Sequence, residues 1–159
     1  MDSLWQRLFD SVKVRLQGIL IANGYETDIG THCFAWRDLS KSPFTEAEMP
    51  CCAVRDLTRD SSVLSVITAH DHTLTIEVSA MAMASLETPP DNFARRILSD
   101  IDKAIGVDRQ WEVDGVKLGR DTLPGNDKME TVHSGDRIVG VTKTFTIIFR
   151  TRAWDPYNQ

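Results

Sequence analysis

The chain has 159 residues, of which 42% are hydrophobic and 26% charged, a length and balance that suit one globular domain around one core and exclude a disordered chain. Asp and Glu number 23 against 18 Lys and Arg, so the net charge is -5 and the general field argues against nucleic acid as the main partner. No apolar run approaches the ~20 residues of a membrane span, and Met1-Asp2-Ser3-Leu4-Trp5-Gln6-Arg7 lacks the basic-then-apolar order of a signal peptide, so we expect a cytoplasmic protein without a membrane partner. The cysteines Cys33, Cys51 and Cys52 do not make a paired framework and are expected to be reduced.

From Leu4 to Leu20 the apolar residues Leu4, Trp5, Leu8, Phe9, Val12, Leu16, Ile19 and Leu20 recur every three or four positions, which predicts an amphipathic helix. Asp2 or Ser3 caps its start, and Asn23-Gly24 supplies the stop. A short strand, Cys33 to Trp36, precedes a polar exposed loop from Leu39 to Glu48. Cys51 to Leu57 reads as a strand with Pro50 at its edge, followed by a turn at Arg59-Asp60-Ser61-Ser62.

Between Val63 and Ala84 the residues Leu74, Ile76 and Val78 alternate with Thr73, Thr75, Glu77 and Ser79, the pattern of a half-buried strand. Thr88-Pro89-Pro90-Asp91 breaks the chain, and Phe93 to Ile105 carries a second helical stripe stopped by Gly106. Val107 to Ser134 reads as short edge strands and a long loop, Leu118 to Ser134. Ser134-Gly135-Asp136 leads into a closing strand, Ile138 to Thr151, and the tail from about residue 152 looks irregular. The order predicts a single α+β domain over residues 1–159, with a mixed or mainly antiparallel sheet and two main helices on one face.

His70-Asp71-His72 is the sharpest metal candidate, because residues two apart on a strand share a face. His32, His133, Cys33 or Glu77 would have to complete the ligand set, and a wet pair of histidines beside a turn is the plainer reading. Cys51-Cys52 lacks the spacing that grips one metal, and Cys33 beside His32 points away from it on a strand, so no nucleophile is indicated. Gly115 and Gly119 sit in no phosphate-binding pattern. The arginines 55, 59, 95, 96, 120, 137, 150 and 152 are scattered among acids, as on solvated faces or in charge-paired subunit contacts. Trp36, Trp111 and Trp154 fall near loops or the tail, where exposed aromatics favour interfaces, whereas Trp5 belongs to the first helix's stripe.

The whole order, the N-terminal helix leading to Tyr25-Glu26-Thr27-Asp28-Ile29-Gly30, the acidic approach Glu46-Ala47-Glu48-Met49-Pro50-Cys51-Cys52-Ala53-Val54, the strand Leu74-Thr75-Ile76-Glu77-Val78, one helix and the closing strand Val141 to Thr151, resembles the tail terminator (tail completion) proteins of long-tailed bacteriophages, including the lambda-type minor tail protein U group. That resemblance implies a structural phage or prophage protein without cofactor. It would form a hexameric ring of its own copies, cap the tail tube, end polymerisation of the tube protein and provide the surface for the head-tail connector protein. Its place would be the host bacterial cytoplasm during assembly and then the tail of the virion. The residues expected at the subunit or tube interface are Arg37, Asp38, Lys41, Glu46, Glu48, Arg55, Arg59, Arg120, Asp121, Asp127 and Lys128. The alternatives are a neck or head-tail joining protein, a small metal-dependent hydrolase using His70 and His72, and a ligand-binding domain of the host.

Overall fold

Leu4, Leu8, Phe9, Val12 and Leu16 fall on one side of a helical wheel, and all are buried where Leu4–Gln17 forms helix α1. Ser3 caps it by accepting the Gln6 N–H at 3.2 Å, satisfying one of the orphan donors of the first turn. A computed structural model describes residues 2–63, 68–131 and 137–159. The helix ends at Gln17, short of the expected Leu20, because Gly18 closes it by donating to Val14 and Arg15 carbonyls. Ile21–Asn23 then makes one 3-10 turn, ended by Gly24 at φ 84. The second helix, α2, spans Pro90–Gly106 with proline in its first turn, where the missing N–H costs nothing.

The strands are β1 His32–Ala35, β2 Cys51–Val63, β3 Ala69–Met83, β4 Glu112–Val113, β5 Val116–Lys117, β6 Asp121–Thr131 and β7 Ile138–Arg152. Five of them form one sheet in the order β1-β2-β3-β7-β6, parallel only between β1 and β2, while β4 and β5 make a separate small hairpin. The mixed sheet and the two helices are the α+β fold that the pattern predicts.

Two expectations about the strands fail. The stretch Arg59 to Ser62 continues β2 instead of turning, because Arg59 to Ser62 pair in register with Leu74 to Asp71 of β3 after a bulge between Asp56 and Thr58. The predicted long loop from Leu118 to Ser134 is mostly strand β6, whose Pro124-Gly125-Asn126 signal is absorbed as a second bulge opposite β7. Residues 132–134 of that loop, the approach Ser134-Gly135-Asp136 and the first part of the stretch from Val63 lie wholly or partly outside the described residues.

Alternation decides the layers. Leu74, Ile76, Val78, Ala80 and Ala82 of β3 are buried, as are Val139, Val141, Phe145, Ile147 and Phe149 of β7, and they share the core with both helices. The opposite side carries Thr73, Thr75, Ser79, Thr142, Thr144 and Thr146, a hydroxyl-rich face on which no described helix packs.

Trp111 is the largest fully buried side chain. It stands between the Arg15 guanidinium, 3.9 Å from its ring centroid, and Phe145, and its indole N–H donates to Thr122 Oγ1 at 2.8 Å. Asp100, buried on α2, holds the turn after α1 by accepting the Glu26 N–H on both oxygens at 3.1 Å and the Thr27 hydroxyl at 2.7 Å.

Candidate interaction surfaces

The sheet order separates the charged residues expected at an interface into two edge groups and one outlier. Arg37, Asp38, Lys41, Glu46 and Glu48 lie on the segment between β1 and β2, with Arg55 on β2 beside them. Arg120, Asp121, Asp127 and Lys128 lie on or next to β6, at the other edge of the same sheet. Arg59 belongs to neither group, its guanidinium resting 4.7 Å from the Trp5 ring centroid.

At the β1 edge the polar loop orders itself. Arg37 donates to both carboxylate oxygens of Glu48, at 2.7 and 3.0 Å, and to the carbonyls of Ser42 and Pro43. Its guanidinium also lies over the rings of Phe34 and Phe44, at 4.7 and 5.1 Å. Glu48 closes the loop from the other end, because its carboxylate accepts the Thr45 N–H in a capping box over the 3-10 turn Glu46–Glu48. Arg37 and Glu48 are therefore internal staples, whereas Lys41, Glu46 and Trp36, whose indole is 66% exposed, remain on the outside. Asp38 joins this loop to the sheet through Arg55, which also binds Glu77 at 2.7 Å.

Hydrogen bonds from Arg37 and from the Thr45 backbone hold the Glu48 carboxyl down to about 2, below its ordinary 4.5. The folded value is the lower one, so the contribution of this group is complete above the ordinary value and is lost as pH falls toward 2. NMR resonances of Phe34 and Phe44 should accordingly keep their folded positions at about pH 4. The same shifts moving to random-coil values there, in a protein otherwise folded, would contradict the staple, and Arg37→Ala should bring the transition up toward the ordinary carboxylate range.

At the β6 edge, Asp121 binds Arg109 at 2.7 Å, Lys128 pairs with Glu130, and Arg120 reaches Asp71 at 3.6 Å, where Arg150 is already held at 2.7 Å. Asp127 is committed inward, to Lys143 at 2.7 Å. Lys143 sits at a position of β7 where alternation calls for an apolar side chain, between Val141 and Phe145, and sequence reasoning missed it. Burial works to lower its pKa, but the hydrogen bonds to Asp127 and Asp102 outweigh that and raise it, so the ammonium stays charged while linking α2 to β6.

The histidine pair does share a face, with ring centroids 6.3 Å apart, but His72 has both nitrogens engaged, by Ser61 Oγ at 2.8 Å and Thr151 Oγ1 at 2.9 Å. Burial, then the nearby charges of Arg59 and His70, push its pKa down, so it is a neutral ring bridging two hydroxyls. The residues considered as further ligands lie elsewhere: Glu77 on the opposite sheet face, His32 and Cys33 on β1, and His133 outside the described residues. Among the described residues no group of three His, Cys, Asp or Glu side chains is arranged to hold a metal ion. All three thiols are free, with Cys33 and Cys52 opposite each other in the β1–β2 register and Cys51 on the other face, pushed up to about 11 by burial.

Comparison of this chain with protein-family models and with curated protein sequences finds no match.

Proposed function

We propose that this chain is a structural subunit of a bacteriophage or prophage tail, assembling head to tail into a ring that caps the tail tube, ends its polymerisation and offers the surface for the head-tail connector. The observation that carries this reading is the placement of two different charged surfaces at opposite edges of one sheet, the stapled loop beside β1 and the β6 margin. A contact that repeats around a ring is heterologous, joining two unlike patches of the same subunit, and it closes without leaving either patch free. Mixed charge at both edges suits the polar rim of such a contact. The resemblance of the element order to tail terminators supplies the hexamer, the tube protein and the connector as partners, and the host cytoplasm followed by the virion tail as the location.

The expected result is a particle of six subunits by light scattering, visible as a ring by negative-stain microscopy, that arrests polymerisation of the tube protein when added to growing tubes. Charge reversal at one edge, Lys41→Glu with Glu46→Lys, or at the other, Lys128→Glu, should shift the protein toward monomer while leaving its far-UV circular dichroism unchanged. A protein that stays monomeric at high concentration and leaves tube growth unchanged sinks this reading.

A further inference from the structure

A cavity of about 370 Å³ lies apart from both edges, between the start of α1, the paired ends of β2 and β3, the end of β7 and the C-terminal tail. Its aromatic walls are Trp5, His70, Phe149 and Trp154. We propose that it binds a planar aromatic carboxylate, with the ring against Trp154 and the carboxylate on Arg59, which lies over Trp5.

Three observations lead there. The first is Trp154. Its indole is 92% exposed although the backbone holds it at φ 61, a left-handed conformation that non-glycine residues rarely adopt. The tail around it is pinned, since Ala153 N–H donates to the Thr68 carbonyl, Leu4 N–H to that of Pro156 and Arg152 N–H to that of Asn158. The indole meets His70 edge-on at 5.4 Å and otherwise faces solvent, so a large apolar ring is held at the mouth of the cavity without a stacking partner of its own.

The second is the charge. Arg59 rests on Trp5 and makes no ion pair among the described residues, so its fork of donors is open to an incoming carboxylate. Asp155, the acid that also lines the cavity, is turned to its own tail, where its oxygens accept the Tyr157 N–H and the Asn158 side-chain amide.

The third is the Ser61–His72–Thr151 chain of hydrogen bonds on the cavity wall. A neutral imidazole donates through one nitrogen and accepts through the other. One of the two hydroxyls therefore keeps its proton to give, and the other keeps lone pairs to receive. The wall thus offers a bound molecule one donor and one acceptor beside the aromatic surface. A volume of this size accommodates a two-ring compound.

The test uses the full chain, with 2-naphthoate as probe and 2-naphthalenemethanol as its uncharged match, followed by calorimetry and saturation-transfer NMR. The acid should bind saturably and about tenfold or more tightly than the alcohol. Arg59→Gln should abolish that preference, and Trp154→Ala should weaken both compounds. Both side chains are exposed, and an unchanged thermal transition of each variant checks that the fold survives. Equal binding of acid and alcohol, no saturable binding in the millimolar range, or wild-type binding by both variants would overturn the assignment. The result is independent of whether the chain forms a ring, since the probes need only one subunit.

Discussion

Replacing Trp111 by alanine is expected to lower the unfolding free energy by about 3–5 kcal/mol, the range for removing a fully buried large aromatic side chain. Trp111 ties helix α1 to the paired strands β6 and β7. Its ring separates Arg15 of α1 from Phe145 of β7, and its indole N–H reaches Thr122 of β6. Truncation leaves a void lined by these groups, strips the Arg15 guanidinium of the ring it lies on, and leaves the Thr122 hydroxyl with only the Arg109 carbonyl to bind. Trp111→Phe keeps most of the apolar contact and loses the N–H, so about 1–2 kcal/mol is expected for it. Urea unfolding followed by circular dichroism separates the two variants. A Trp111→Ala protein within about 1 kcal/mol of the wild type would show that this part of the core is not packed around the indole.

Asp100→Ala should cost about 3 kcal/mol, for a different reason. The carboxylate receives an N–H and a hydroxyl from residues 26 and 27, so its removal takes the acceptor from the Glu26 N–H and leaves the buried Thr27 hydroxyl without the partner it donates to. Asp100→Asn tests the chemistry at nearly constant shape. An amide offers one accepting oxygen where the carboxylate offers two, and its NH2 must face one of the donors, so Asn should recover only part of the loss. Hydrogen exchange at the Glu26 amide gives the local readout: both variants should speed it up, and protection retained in Asp100→Ala would rule out the carboxylate as its partner.

Trp111 shows where sequence reasoning stops. The amphipathic stripes of α1 and α2 and the alternation of β3 and β7 are strong local signals, and these elements are found where the periodicity places them. Trp111 falls in the stretch after residue 107 where glycines and short apolar pieces obscure any period, at a φ of 55, and only its burial between elements distant in sequence explains it. Strand β6 is illegible for a related reason. Leu123-Pro124-Gly125-Asn126-Asp127 carries turn chemistry, and the ladder to β7 overrides it by placing those residues in a bulge. The end of β2 fails in the same way, since its polar run is strand only because β3 lies beside it.

The candidate surfaces divide along the same line. Charged residues at the two edges could be named from the sequence, but which of them point outward could not. Arg37, Glu48 and Asp127 spend their charge on residues of the same chain, whereas Lys41 and Glu46 are left facing out. Partner choice among charges is a property of distance in space, and sequence separation does not report it. The cavity beside Trp154 has no local signature at all, since its walls come from α1, three strands and the tail.

The placement of β7 between β3 and β6 also bears on how the protein is made. The middle of the sheet pairs β3, formed early in the chain, with a strand that leaves the ribosome only after α2, the small hairpin and β6. Until then β3 presents one long unpaired margin beside an apolar face that has only part of its cover. Such a nascent intermediate is a template for association with other chains. Synthesis halted before Ile138 should therefore yield insoluble product, because it is the pairing of β7 with β3 that closes this margin.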